Sequence, residues 1–334
     1  MRATLIAQVP GDLRWLRVED ASAAGACRGA ALALASRLEF PAARADQVAL
    51  AVTEAATNLH KHASQGAMLL RIGRDSGKPG IEMVTIDAGP GFDQGRALRD
   101  GHSTSGSLGI GLGAIGRLAD SFELYSTPGH GTAQVARFWA EPPAVVVRYA
   151  GLVRPITGET ECGDVFGVAA GDGLLTGVLC DGLGHGPLAA AAAMEAVTAI
   201  LEEPAAEPAV LLERAHRRMR HTRGGAVGVV QVAGPVVLFG GLGNIAAVIL
   251  ANGTRKSMLS VPGIAGHQAG TIRQFEYTAP PGAAVILHSD GVSSRWEPRA
   301  LPGLGASDPL VAAAALLAEA GTRRDDAGVL VLKP

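Results

Sequence analysis

The sequence predicts an α+β chain of two domains, the first with helices on one face of a mixed sheet, the second a β-sandwich flanked by helices. Three observations lead there. At 334 residues the chain is longer than one hydrophobic core usually serves, since single cores stop growing at roughly 250–300 residues. The stretch "EPPAVVVRYA", with Pro142 and Pro143, ends one periodic region and starts a new strand-like run. Before it, long helical patterns alternate with a few strands, and after it short apolar strands dominate. Domains are therefore expected at residues 1–141 and 142–334.

The first domain reads as a strand over 4–9, a helix over about 20–38 and a second helix over 42–62. In the second helix Val48, Val52, Ala55 and Leu59 recur at helical spacing and make an apolar stripe. Strands follow at 67–74 and 81–87, then a glycine-rich loop, a short helix near 114–119, and strands at 122–126 and 132–139. In the second domain strands are expected at 165–170, 174–180, 226–232, 236–240, 245–250, 284–288 and 328–332. Alanine-rich helices at about 188–201, 209–220 and 309–320 lie between them.

Composition removes several classes of function. A formal net charge of -2 leaves no electrostatic footprint for nucleic acid or an anionic membrane. Cys27, Cys162 and Cys180 are too few and too scattered for a disulfide framework or a zinc site, and read as buried free thiols in a reducing compartment. The start, "MRATLIAQVPGDLRW", meets a proline and an aspartate too early for a secretory signal. Residues 226–252 carry no charge, yet Pro235 and the "GGLGN" turn split them into short runs that read as a buried β-hairpin and not a membrane helix. The basic run "RAHRRMRHTR" sits at a helix end, where cations favour the dipole, and reads as solvated. A soluble, cytoplasmic protein is expected.

"GSLGIGLGAIG", residues 106–116, contains the letters Gly111-x-Gly113-x-x-Gly116 of a dinucleotide-binding turn. A Rossmann turn needs a strand just before its first glycine, and here the polar "DGHSTS" precedes it. A Walker loop needs Gly-Lys-Ser/Thr, which is absent. Two other stretches carry more. In "VTEAATNLHKHA", Glu54, Asn58 and His62 share one helix face. In "IDAGPGF", Asp87 closes an apolar strand, where it can accept a hydrogen bond from an exocyclic amine, and the glycines after it let a flat base approach the backbone.

Taken in this order and spacing, these stretches resemble the Bergerat-type ATP-binding α/β sandwich of the gyrase, Hsp90, histidine-kinase and MutL superfamily, over about residues 1–139. Within that superfamily, "DGHSTSGSLGIGLGAIGRLADSF" is similar to the switch serine kinases of the RsbT branch. The resemblance implies ATP and Mg²⁺, with Glu54 as the base on the attacking hydroxyl and Asn58 as metal ligand. It implies Asp87 on the adenine amine, Gly89 and Gly91 beside the base, and Thr132 supporting Asp87. Gly106, Gly109, Gly111 and Gly113 would form the phosphate lid, using backbone N–H groups and a helix N-terminus as an anion site.

The second half carries acids that abut apolar strands: Asp164 and Asp181 in "ECGDVFGVAAGDGLLTGVLCDGLGHG", Asp290 in "ILHSDGV", and Asp325 and Asp326 in "TRRDDAGVLVL". A lone Asp-Gly pair is ordinary turn chemistry. Several acids at strand ends converge if the strands are neighbours, and hard oxygen donors suit Mg²⁺ or Mn²⁺. This set resembles the metal-dependent type 2C phosphatases of the SpoIIE/RsbX group, from about residue 145 onward. The resemblance implies Asp181 as bridging ligand with the Gly182 carbonyl beside it, Asp290 and Asp325 completing one metal, and Asp164 serving the other. Two such ions acidify water and brace in-line attack on phosphorus. Gly328 stands where many of that group have a hydroxyl residue, Arg154 is the candidate to grip phosphate, and the histidines near the motifs read as without chemical role, with His185, four residues after Asp181, in reach of substrate.

The two resemblances imply a bifunctional switch that phosphorylates and dephosphorylates Ser/Thr on a STAS-domain partner. Two alternatives stand beside it: a phosphatase regulated by ATP in a non-catalytic first domain, and a binding module that contacts a sigma factor or a downstream phosphatase. Neither a nucleic-acid nor a membrane partner is expected.

Overall fold

The computed structural model describes residues 4–7, 14–75, 78–94, 108–141 and 148–334, with the backbone alone for 4–7, 75 and 108–111. The chain divides into two units, residues 12–146 and residues 1–11 together with 147–334. The Pro142–Pro143 junction and Gly106 lie outside the described residues.

In chain order the first elements are β1 (Thr4–Ala7), β2 (Arg14–Arg17), α1 (Ala23–Arg37), α2 (Ala42–His62), β3 (Ala67–Asp75) and β4 (Lys78–Asp87). They are followed by α3 (Leu108–Leu118), β5 (Ser121–Ser126) and β6 (Thr132–Trp139). Strands β2 to β6 form one sheet in the order β2-β3-β4-β6-β5. Every pairing is antiparallel, where a mixed sheet was expected, because β3–β4 and β5–β6 pair as sequence neighbours and β6 then enters beside β4. The apolar stripe of α2 meets Met68, Leu70, Met83 and Phe138 of the sheet in a single core, with Ile115 of α3. Each such fully buried side chain contributes about 1.5–3 kcal/mol.

Two further expectations fail in this half. The glycine stretch is helical from Leu108, not a loop up to 114. Leu108, Leu112 and Ile115 keep an i, i+4, i+7 pattern, and burial of Ile115 offsets part of the roughly 1 kcal/mol that each helical glycine costs. The opening strand does not join this sheet at all. β1 pairs antiparallel with a strand of the other unit, Thr4 opposite Ala170 and Ala7 opposite Gly167. An edge strand is placed by whichever open ladder it can satisfy, which position in the sequence does not reveal.

The other unit contains β7 (Tyr149–Arg154), β8 (Asp164–Gly171), β9 (Leu174–Gly182), α4 (Pro187–Leu201), α5 (Pro208–Arg218), β10 (Gly225–Ala233) and β11 (Val236–Leu242). It continues with β12 (Ala246–Ala251), β13 (Thr254–Met258), β14 (Gln274–Thr278), β15 (Ala284–His288), α6 (Pro309–Ala320) and β16 (Ala327–Leu332). Two sheets result, β1-β8-β9-β10-β11-β14 and β13-β12-β15-β16-β7. Their inner faces interlock, as at Gly177, where an added Cβ would lie 3.0 Å from Leu330. On the outside of the first sheet, alanines of α4 and leucines of α5 cover Val165, Val178 and Cys180. Helix α6 starts on Asp308, whose carboxylate accepts from the N–H groups of Leu310 and Val311.

The uncharged 226–252 stretch forms β10 and β11 as an antiparallel pair and then β12 in the opposite sheet. No helix among the described residues is long and apolar enough to cross a membrane. The basic end of α5 is ion-paired, Arg214 to Glu203 at 2.6 Å and Arg218 to Glu195 and Glu202. All three cysteines are free and buried.

Candidate functional sites

Helix α2 and the loop after β4 carry the candidate residues of the first unit. Ala88 N–H donates to the Ser64 carbonyl at 2.9 Å, which fastens the loop beside the end of α2. Asp87 Oδ1 accepts from Gly89 N–H at 2.7 Å, and the Thr132 N–H bonds the same carboxyl. Burial nonetheless raises the Asp87 pKa. Thr132 thus supports Asp87 through its backbone; its hydroxyl pairs with Ser126 Oγ at 3.0 Å. Gly89 and Gly91 have backbone reasons to be glycine. A Cβ at Gly89 would lie 2.7 Å from Asp87 Oδ1, and Gly91 has φ +58 with the Thr127 carbonyl 2.1 Å from any Cβ.

Glu54 and Asn58 are both half-buried on α2, one turn apart. Asn58 leaves Nδ2 buried without a hydrogen-bond partner among the described residues. Gly109 and Gly111 fall in the first turn of α3, among the N–H groups that a helix leaves free. Gly113 falls in the second turn, where its N–H is an intrahelical donor, so the expected lid role does not extend to it in this form.

In the second unit the strand ladders bring the acids together. Asp164 at the start of β8 lies opposite Asp181 near the end of β9. In the facing sheet, β15 runs antiparallel to β16, so Asp290, just past β15, comes beside Asp325 and Asp326, just before β16. Asp181, Asp290 and Asp325 line one cavity of about 730 Å³ with His185 and Arg324. Asp164 lies fully buried, with Oδ2 accepting from Ser289 Oγ at 2.6 Å and Oδ1 without a partner among the described residues.

These carboxyls are held above their ordinary range. Burial is the main cause for Asp181, followed by repulsion from Asp290 and Asp325, and together they lift it to about 7. Asp164 is raised by burial first and Asp181 second, and Asp290 by burial first and Asp325 second. Among the described residues no three His, Cys, Asp or Glu side chains close into a finished ligand shell. Instead the acids lean on neutral donors and on each other: Asn244 Nδ2 donates to Asp290 Oδ2 at 2.7 Å, and Asp181 hydrogen-bonds Asp290. Crowded hard oxygens, with one buried oxygen unpaired, fit divalent cations of the Mg²⁺ or Mn²⁺ kind.

The glycines around the cluster are packing requirements. A Cβ on Gly182 would lie 2.1 Å from the Ala189 carbonyl, and one on Gly291 would lie 1.8 Å from the Asp326 carbonyl. Asp326 faces away from the cavity's chemistry, accepting from Ile156 N–H at 2.7 Å and Gly163 N–H at 2.9 Å. That divides the Asp-Asp pair into a cavity acid, Asp325, and a loop clamp, Asp326.

Three placements were not foreseen. Ser289 accepts from Gly328 N–H at 2.9 Å and donates to Asp164, supplying from the neighbouring strand the hydroxyl that position 328 lacks. A Cβ at 328 would come 3.0 Å from Asp164 Oδ2, so glycine leaves room for this contact. The second is Asn244, in a stretch read only as a turn; a polar side chain beside "GGLG" was the available signal. Thirdly, Arg154 does not line the cavity but donates from Nη2 to the Thr322 carbonyl at 2.7 Å. Burial, and next to it Arg323, lower its pKa to about 10. His185 lines the cavity, with Nδ1 2.8 Å from Glu159 Oε1.

An antiparallel sheet under three helices, with an acid-glycine loop at the end of its central strand, defines an ATPase fold; the sandwich with its acid cluster defines a type 2C phosphatase fold. The family model of the histidine kinase-like ATPase domain matches residues 17–137, and that of stage II sporulation protein E (SpoIIE) matches residues 171–334. Through its first unit the chain belongs to the family of the serine/threonine-protein kinase RsbT. It is 36% identical to RsbT of Bacillus subtilis (strain 168) over 107 residues, 32% of this chain and 80% of that protein. Among solved structures, one described under "The bacterial stressosome: a modular system that has been adapted to control secondary messenger signaling" is 27% identical, with a TM-score of 0.51, covering 56% of this chain and 98% of its own. RsbX in complex with magnesium is 19% identical at a TM-score of 0.49, covering 55% of this chain and 92% of its own. The chain therefore joins an RsbT-like ATPase domain to a SpoIIE-type phosphatase domain.

Proposed function

We propose that this protein is a partner-switching regulator that phosphorylates Ser/Thr on a STAS-domain protein with ATP and removes the same phosphate with a metal-dependent phosphatase site. The carrying observation is the meeting of Asp181, Asp290 and Asp325 at one cavity, with Asp164 buried behind them, in a chain that also holds an RsbT-like domain. In the first domain Glu54 takes the proton from the acceptor hydroxyl, Asn58 contributes to the magnesium site, and Asp87 orients the adenine. The N–H groups of Gly109 and Gly111 favour the phosphates. In the second domain Asp181, the Gly182 carbonyl, Asp290 and Asp325 would hold Mg²⁺ or Mn²⁺, with Asp164 behind them. Cations bound there would acidify water and offset the charge on the phosphate.

Opposing activities in one chain keep both at high effective concentration around one partner. Incubation with ATP, Mn²⁺ and a STAS-domain protein, following phosphate on and off the partner, tests the reading. Transient phosphorylation followed by release is expected; a partner that never gains phosphate from ATP removes the kinase half.

One observation favours a second reading. Because β1 lies in the phosphatase sheet, the ATPase unit is inserted in the phosphatase sequence between β1 and β7 and is anchored at both its ends. That topology suits an ATPase domain whose nucleotide state regulates hydrolysis, and ATP-dependent turnover of a phosphoserine peptide without transfer from ATP would select it.

A further inference from the structure

We propose that Arg324, with Arg223, binds the phosphoryl group of the substrate. The inference rests on the phosphatase reading and replaces Arg154 as the phosphate-gripping residue. With the acids Asp181, Asp290 and Asp325 engaged by cations, a cationic side chain on the cavity wall would grip the phosphate oxygens that the metals leave free. Arg324 is the only arginine or lysine among the described residues that line it. Its guanidinium is exposed and makes no hydrogen bond or ion pair within the protein among the described residues.

The backbone beneath it is fixed. Arg324 N–H donates to Thr322 Oγ1 at 3.1 Å, Thr322 N–H donates to the Gly291 carbonyl at 2.8 Å, and Arg154 holds the Thr322 carbonyl. Arg154 thus braces the loop that presents Arg324 beside Asp325. The clamp of Asp326 on Ile156 and Gly163 secures the other side of the same loop. Arg223 does not line the cavity but stands against Gly184, which does. Gly184 lines the cavity with φ +92, and a Cβ there would lie 3.0 Å from Arg223 Nη1. The glycine therefore makes the space in which the Arg223 guanidinium lies. The fixed fork of an arginine suits the paired oxygens of a phosphate better than a lysine does.

Exposed Leu183 and Ile264 line the same cavity, apolar surface that suits the residues flanking a phosphoserine in a protein chain. A substrate of that class, and not a free sugar or nucleotide phosphate, matches the wall.

Calorimetric titration of the Mn²⁺-loaded chain with inorganic phosphate, with steady-state kinetics on a phosphoserine peptide, tests the assignment. Arg324→Ala should weaken phosphate binding and raise KM by about 10- to 100-fold, the scale of one charge-assisted hydrogen bond. Arg324→Lys should fall between, and Arg223→Ala should show a smaller rise. An unchanged phosphate affinity and KM in both alanine variants, in a parental chain that hydrolyses the peptide, overturns the arginine assignment alone. A parental chain with no Mn²⁺-dependent hydrolysis overturns the phosphatase reading instead.

Discussion

Asp87 in the ATPase unit and Asp181 in the phosphatase unit both stand near the end of an apolar strand, have a glycine within the next two residues, and hold their carboxyls high because they are buried. Their company differs. Asp87 has two backbone N–H donors, and no other acid contributes to its shift. Asp181 has Asp290, Asp325 and Asp326 pressing on it. An isolated, backbone-braced carboxylate is prepared for one hydrogen bond to a neutral amine. A crowd of carboxylates is prepared for cations. Burial raises both, and only the neighbours separate their chemistry.

The widest separation should come from the crowded site. Asp181→Asn or Asp290→Asn should reduce Mn²⁺-dependent hydrolysis of a phosphoserine peptide to background while leaving ATP binding unchanged. Removing the metal should expose the repulsion itself. Between its ordinary value of 3.8 and its folded value of about 7, the folded Asp181 keeps a proton that the unfolded chain has released. Stability of the metal-free protein should therefore fall as pH rises through that window, while cation affinity rises as the proton is displaced. Thermal denaturation in EDTA across that pH range should slope downward for the parent and flatten for Asp181→Asn. Equal slopes in the two proteins would mean that the acids do not crowd.

The ATPase unit should respond in smaller steps. Glu54→Gln should cut phosphoryl transfer by about 10²–10⁴-fold, the usual loss of a general base, with ATP affinity retained. Transfer at the parental rate would make Glu54 a structural residue. Asp87→Asn should lower ATP affinity by about tenfold or more through one charge-assisted hydrogen bond. GTP, which presents a carbonyl where adenine has its amine, should compete poorly; equal affinities by calorimetry would break the adenine assignment.

The same contrast marks how far the sequence could be read. Asp172-Gly173 and Asn252-Gly253 have positive φ at both residues and turn the β8–β9 and β12–β13 hairpins, as such pairs commonly do. Asp181-Gly182 and Asp290-Gly291 look identical in sequence but show no positive φ, and their glycines are required by carbonyls packed against them. Apolar strand patterns and the acids at their ends were legible because both repeat locally. Ser289 and Asn244 were not, since each acts on an acid far away in sequence, Asp164 and Asp290. The start of α3 was misjudged because glycine spacing suggests a loop whether or not tertiary packing keeps it helical.

The smallest expected effect concerns which unit owns β1. If it belongs with β8, its loss should affect the phosphatase and spare the ATPase. Along an edge strand, alternate N–H groups point to the neighbour and to open solvent, so adjacent proline substitutions should behave differently. Of Leu5→Pro and Ile6→Pro in the full chain, one should remove a ladder hydrogen bond to β8 and the other should remove none. The first should cost about 1 kcal/mol, which is about 2–4 °C in Tm for a domain of this size. That shift should appear in the heat inactivation of peptide hydrolysis and not in the melting transition that ATP protects. A fragment beginning at residue 148 should show the same deficit, because it leaves the β8 edge unpaired. If both prolines instead lower ATP affinity and leave hydrolysis alone, the strand belongs to the ATPase unit and the two-ended anchoring that favours nucleotide regulation disappears.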